Sequence, residues 1–465
     1  MFVKEIPENL EADFTLIGSG PASITLALKL SKKFKVLILE AGDYDYKEDQ
    51  NDFFSGQVIG DPYFKLEYAR IRALGGSSQH WGGACRPMDK IDFKNWLITK
   101  NDLDPYLSEA SKILNIKKSE DKLVDLKNFY SFDILDSDVN FRYKYFDFIR
   151  DNKNIFCCLN TPLLTLEGKD EIEYLEVFNN SRKKKIKGKK VILCAGGIEN
   201  SRILLWSREK SQNDFLKSLP LGQYWSEHPS GIVGHIIADR KKFSRFLNLN
   251  ISPNAAFLEE KKINNVRINF LDYTNNPGIG YKYIIKDFLC VAPNLGKKLL
   301  ETFQKDYRLH CQVGVRATGS QSANKLNRIE LSKNEFDKNG IPKSVLFWKI
   351  YNDFHKSVFE SLKELGAELL KKDIGRVGID RFIVDQEDFI PNLEDRVFGN
   401  YHHMGGTVMG KNQDSVVDQN LKVHGVKNLY VAGSSVFPDS GGWANPTLTI
   451  VQLSLRLSDH LQIKV

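Results

Sequence analysis

Residues 13–42, DFTLIGSGPASITLALKLSKKFKVLILEAG, constrain the fold more than any other stretch. Phe14 to Ile17 reads as a buried strand and Gly18-Ser19-Gly20 as a tight turn. Pro21 to Ser31 carries apolar residues at helical spacing, and Val36 to Leu39 is a second apolar strand ending on Glu40. A strand–turn–helix–strand unit of this length is the context that gives a glycine fingerprint meaning. Gly18 lets the backbone turn sharply, and Gly20 lets a pyrophosphate approach the amides at the helix N-terminus. Ser23, at the third fingerprint position, is small enough for close helix–strand packing. Glu40 lies 22 residues after Gly18, where a carboxylate can accept from an adenosine ribose. Its charge disfavours a 2′-phosphate and hence NADP. The unit predicts a bound nucleotide and leaves NAD and FAD both open.

At 465 residues the chain suits two or three domains, or one large enzyme with an inserted lobe. The 66 basic and 59 acidic residues leave +7, a mild excess that demands neither nucleic acid nor membrane. No apolar run is long enough for an integral membrane segment, and the first residues have no apolar signal core. The six cysteines (Cys85, Cys157, Cys158, Cys194, Cys290, Cys311) lack metal-ligand spacing, so a reduced, cytoplasmic protein without a metal is expected.

Further along, residues 43–70 read as a loop excursion. Arg72-Ala-Leu-Gly75-Gly76-Ser77-Ser78-Gln79-His80-Trp81-Gly82-Gly83 is too rich in glycine for a helix or strand interior, and it can bring amides and hydroxyls close to a ligand. Residues 96–114 read as a helix capped by Asn101 or Asp102, and 141–150 as another. Residues 154–193 read as strands whose lysines at 183–190 decorate a solvated hairpin. Val191 to Ala195 is a buried strand running into Gly196 and Gly197 and then a helix. It is a second place where a strand end meets a helix N-terminus. His228, just before Pro229, reads as structural. From about 232 to 390 strand-like alternations precede the helix DFHKSVFESLKELGAELLKK, which suggests a substrate lobe. The basic amphipathic stretch 283–303 reads as a lid or core helix. Near the C-terminus, His402 and His403 precede glycines, a short strand ends at Gly433-Ser434, and Asn445-Pro446-Thr447 opens the last helix.

Taken together, GSGPAS with Glu40, LGGSSQHWGG, WLITKNDLDPYL, VILCAGGIENSRILL, LGQYWSEHP, NRIELSKNEFDKNGIP, YHHMGG and NLYVAGSSVFPDSGGWANPTLT occur in one order. In that order they resemble the glucose–methanol–choline (GMC) family of FAD oxidoreductases, particularly its pyranose-oxidase-like and bacterial sugar-oxidoreductase branches. Residues 235–310 show no clear match.

The resemblance implies a bound FAD and an α/β fold. A Rossmann-like, glutathione-reductase-like FAD-binding domain (residues 1–230 and 395–465) would carry an inserted α+β substrate domain (231–394) built on a mainly antiparallel sheet. It implies FAD contacts from Gly18, Gly20, Glu40, Arg72, Gly75, Ser77, His80, Trp81, Gly83, Gly196, Gly433, Ser434, Asn445 and Thr447. In some members the position of His80 carries the flavin covalently; here it is either so joined or packed beside the ring. His402 matches the catalytic histidine and Asn445 its partner. Gly406 stands where the family commonly has threonine. The implied reaction is oxidation of a CH–OH group of a sugar, glycoside or polyol to a carbonyl, with oxygen, a quinone or a redox protein as electron acceptor. A non-sugar alcohol, a lyase reaction and an NAD-dependent dehydrogenase are the competing readings.

Overall fold

The structure, a computed structural model, describes residues 1–117, 121–210, 216–272, 312–385, 399–411 and 414–463. The stretch 283–303, Cys290 and Cys311 lie outside these residues. Two large sheets organise the fold.

The first is parallel, with the strands in the order Leu429–Val431, Lys190–Leu193, Phe14–Ile17, Val36–Leu39, Ile155–Cys158. Phe14–Ile17, Val36–Leu39 and Leu429–Val431 are buried along their whole length, as expected of a sheet covered on both faces. From the central strand the chain passes first to Val36–Leu39 on one side and later to Lys190–Leu193 on the other. Strand order therefore reverses at Phe14–Ile17, and a crevice opens beyond its C-terminal end. Helix Pro21–Leu30 starts at that end. It packs on the C-terminal helix Pro446–Ile463, and this contact brings Asn445 to the same crevice.

The second sheet has seven strands, in the order Gly375–Ile379, Ser230–Ala238, Gln312–Gly319, Val266–Asp272, Asn250–Pro253, Phe129–Phe132, Lys122–Leu123, all antiparallel. Helix Asn352–Lys371 buries Phe354, Val358, Leu362, Leu365 and Leu369 against it. Each such side chain contributes about 1.5–3 kcal/mol. The sheet takes two outer strands from residues 122–132, so it crosses the boundary that the sequence places at 231.

Three local expectations are corrected. Residues 43–70 are not all loop: Gly56–Gly60 is a strand paired in parallel with Ser344–Trp348. It lacks apolar alternation because most of its length is exposed, so pairing, not burial, makes it a strand. The helix near residue 100 is capped by Thr99, in a reciprocal box with Asp102. It breaks at Asp104–Tyr106, around Pro105, before resuming at Leu107–Leu114. The lysine-rich hairpin and the helices at 141 and 352 lie where expected. Among the described residues no helix is long and apolar enough to cross a membrane, and no cluster of His, Cys, Asp and Glu could hold a metal.

Candidate active site

A cavity of about 570 Å³ runs from Glu40 and Leu163 at one end to His402 and Asn445 at the other, within the size range of cofactor sites. Its lining includes Gly18, Gly20, Glu40, Arg72, Ser77, His80, Trp81, Gly83, Gly196, Gly433, Ser434, His402, Asn445 and Thr447. Gly75 stands behind this wall. Its φ of +87° and a Cβ position 2.8 Å from the Arg142 nitrogen explain the glycine on steric grounds.

The nucleotide end fits FAD. Gly18 has φ +95°, and a Cβ there would sit 2.8 Å from the Cys194 carbonyl oxygen. At Gly20, Gly196 and Gly433 a Cβ would meet no protein atom within 4 Å. These backbones therefore face the cavity directly. No side chain caps the helix that begins at Pro21, so its first amides can receive an anion. The Arg72 guanidinium stacks on Phe53 at 3.9 Å and suits a pyrophosphate. Glu40 is buried, and its oxygens accept from Ser19 N (3.0 Å), Ser19 Oγ (2.5 Å) and Gly42 N (2.7 Å). It thus braces the glycine turn and keeps acceptor capacity for a ribose hydroxyl. Burial raises its pKa. Arg70, Glu199, Arg202 and Asp337 form a buried ion network beside this end, with contacts of 3.1, 2.8 and 2.6 Å. Those four residues were not singled out from sequence.

At the other end two loops are zipped together. Ser226 and Met404 exchange backbone hydrogen bonds of 2.8 and 3.0 Å, and Asn400 Nδ2 donates to the His228 carbonyl at 2.9 Å. The carboxylate of Glu227 accepts from Tyr63 Oη (2.5 Å), His228 N (2.8 Å) and His402 N (3.0 Å). Every one of these groups donates, which favours the anion. Burial nevertheless pushes its pKa up to about 7.

This zipper brings His228 and His402 together. His228 Nε2 lies 2.7 Å from the Ser440 carbonyl, and its Nδ1 lies 2.8 Å from His402 Nδ1. A carbonyl only accepts, so His228 Nε2 carries a proton. Burial lowers its pKa to about 4, which leaves a lone pair on its Nδ1. His402 Nδ1 must then be the N–H that donates to it. The remaining nitrogen, His402 Nε2, holds a lone pair aimed at Asn445 Nδ2, 3.2 Å away. Burial first, then the neighbouring His228 and Arg267, hold the His402 pKa well below the usual imidazole value. The result is a neutral imidazole whose tautomer is fixed by the Ser440 carbonyl, acting through His228.

The structure therefore joins His402 to Asn445, as their motifs anticipate. It also adds His228, which the sequence reading set aside as structural. The only signal was a buried Glu-His pair ahead of a proline. His403 has a different setting. Its ring packs against Tyr63 and Trp225, with centroids 6.1 Å apart in both cases. Its Nε2 is buried without a hydrogen bond, and burial lowers its pKa to about 3. His80 is exposed beside Tyr46, with ring centroids 5.3 Å apart. Gly406 has φ +90°, a conformation that favours glycine, and a Cβ there would lie 2.3 Å from Ser201 Oγ.

Comparison with known proteins agrees with this architecture. Residues 327–454 match the family model of the GMC oxidoreductases. The large subunit of fructose dehydrogenase from Gluconobacter japonicus is 26% identical over 302 residues, which cover 63% of this chain and 51% of that protein. The chain thus spans about half the length of this curated relative. Pyridoxine 4-oxidase from Mesorbium loti superposes with a TM-score of 0.58 at 15% identity, covering 97% of this chain and 99% of that one. An FAD-dependent oxidoreductase from Chaetomium thermophilum does so with a TM-score of 0.57 at 13% identity, covering 98% and 99%. In these folds a Rossmann-like FAD-binding domain carries a substrate-binding domain, as the two sheets do here. Residues 327–454 thus carry the C-terminal domain of the GMC oxidoreductases, and nearly the whole chain shares the fold of these solved structures.

Proposed function

We propose that this protein is an FAD-dependent oxidoreductase that converts a CH–OH group of a sugar, glycoside or related polyol to a carbonyl, with His402 as the base. In this reading residues 1–230 and 395–465 hold the cofactor, and 231–394 hold the substrate. The observation that carries it is the lone pair on His402 Nε2, beside the Asn445 amide at 3.2 Å in the cavity wall. The fructose dehydrogenase relative supports a sugar as substrate.

When bound, FAD supplies the hydride acceptor. An alcohol is a poor hydride donor until its O–H proton is withdrawn. His402 Nε2 can withdraw it because burial keeps the ring neutral. The Asn445 amide already points at that nitrogen, so it is within reach of an alcohol oxygen bound there. It can donate to the negative charge that grows as the proton leaves. His402 Nδ1–H keeps its bond to His228 throughout, which prevents the ring from turning. The ring's backbone is fixed through its own N–H to Glu227.

His402→Ala tests the reading. The variant should purify yellow, with flavin bound, and its anaerobic flavin reduction by substrate should slow by about 10²-fold or more. Reduction at the wild-type rate would remove His402 as the base, and a colourless wild-type protein would favour an NAD-dependent enzyme instead.

A further inference from the structure

The antiparallel sheet has two unlike faces. Val266, Ile268, Phe270, Val315 and Ala317 are buried, and helix Asn352–Lys371 packs on their strands. Alternate positions include Arg267, Asn269, Arg316 and Thr318. The register sets Arg267 opposite Thr318 and Asn269 opposite Arg316, while Ser230 pairs with Thr318 from the other side. This polar face turns toward the catalytic loops. Asn265, just before the strand, accepts from Trp443 Nε1 at 3.2 Å, and the Arg267 guanidinium lies 5.9 Å from the Trp443 ring centroid. Trp443 stands two residues before Asn445. The charge of Arg267 is felt at both His228 and His402.

The two arginines are short of partners. Arg267 Nη2 donates to Thr318 Oγ1 at 3.1 Å, but its Nε is buried without a hydrogen bond, as is Asn269 Oδ1. Among the described residues no carboxylate pairs with Arg267 or Arg316. Arg202, by contrast, sits between Glu199 and Asp337. Burial, and next the neighbouring Arg316, push the Arg267 pKa down to about 10. A buried guanidinium beside a like charge and without a counter-charge is costly, and here that group is Arg267. Guanidinium forks match planar carboxylates and phosphates with paired hydrogen bonds.

Resting on the alcohol-oxidation reading, we infer that the substrate of this site carries an anionic oxygen group, a carboxylate or a phosphate. Arg267 and Arg316 hold it across the cleft from His402. The anion takes no part in the chemistry. It fixes which hydroxyl reaches Nε2, and Arg316, the exposed member of the pair, meets it first.

The test is anaerobic flavin bleaching of the holoenzyme by a hexose, the corresponding uronate and the hexose 6-phosphate. An anionic member should half-saturate at a concentration at least about 10-fold lower than the hexose, the scale of one charge-assisted hydrogen bond. Whether the uronate or the phosphate wins identifies the group. R316Q should bring the charged and neutral sugars within about twofold of each other. Equal half-saturation in the wild type, or a preference that survives in R316Q, overturns the inference. If none of the sugars bleaches the flavin, the oxidation reading fails, and inorganic phosphate decides the anion site alone. Phosphate should raise the melting temperature of the wild-type holoprotein and not that of the R267Q/R316Q variant. The same response in both also overturns the inference.

Discussion

The two sheets of this chain are specified in different ways. The parallel sheet is built from short, continuous apolar runs such as FTLI and VLIL, and its ligand-facing edge is backbone: glycines at 18, 20, 196 and 433. The antiparallel sheet collects strands from residues 122 to 379, and its polar face is side chain: Arg267, Asn269, Arg316 and Thr318. In the function proposed above, one region binds through the absence of side chains and the other through their chemistry. Substitutions should therefore fail differently in the two. Adding atoms at the parallel edge should remove the cofactor, whereas changing atoms around the cleft should leave the cofactor and alter the proposed reaction.

The sharpest contrast is Gly18→Val. With φ at +95° and the Cys194 carbonyl 2.8 Å from the added carbon, the variant should lose essentially all flavin, read as the ratio of visible to protein absorbance. Full flavin content would break the distinction. Next in size is His228→Ala on the cleft side. It should keep its flavin, but reduction should slow by roughly 10–100-fold, the scale on which a partner that orients a histidine acts. Its pH profile should also change, because His402 Nδ1–H loses its acceptor and both tautomers become populated. A purely structural histidine would lower stability without moving that profile.

Glu227→Gln should act on stability. The carboxyl is raised on folding, from an ordinary 4.5 to about 7. A raised group contributes most below its unfolded value and loses that contribution as pH rises through the folded one. Between about pH 5 and 8 the wild type should therefore lose up to roughly 3 kcal/mol relative to the glutamine variant. Parallel curves from chemical denaturation would show that Glu227 does not titrate there. The smallest effect belongs to Lys185→Gln. It lies on the exposed hairpin and pairs with Glu167, outside both regions, so stability should stay within about 0.5 kcal/mol and flavin content should not change.

The same contrast explains what could be read from sequence. The strand–glycine–helix unit is local, so residues 13–42 reveal it on their own. His402 and Asn445 were found because each sits in a short motif, although only the fold brings them within 3.2 Å. His228 is not legible in the sequence because its meaning depends on a partner 174 positions away. The strand at Gly56–Gly60 was missed because its partner, Ser344–Trp348, lies far along the chain and most of its residues are exposed. Arg267 and Arg316 look like ordinary surface charges until the register places them on one face. What escaped the sequence is, in each case, a pairing between distant segments.

The proposed base, His402, has a neutral ring whose unprotonated nitrogen is Nε2, beside the Asn445 amide. Nitrogen-15 NMR of the holoprotein, labelled at histidine and assigned with His402→Ala, reads this directly. Nδ1 should carry the proton and Nε2 should not, with no change as the pH is lowered from about 8 to 6, across the range where an ordinary imidazole titrates. A proton on Nε2, or an imidazolium appearing near neutral pH, would contradict it.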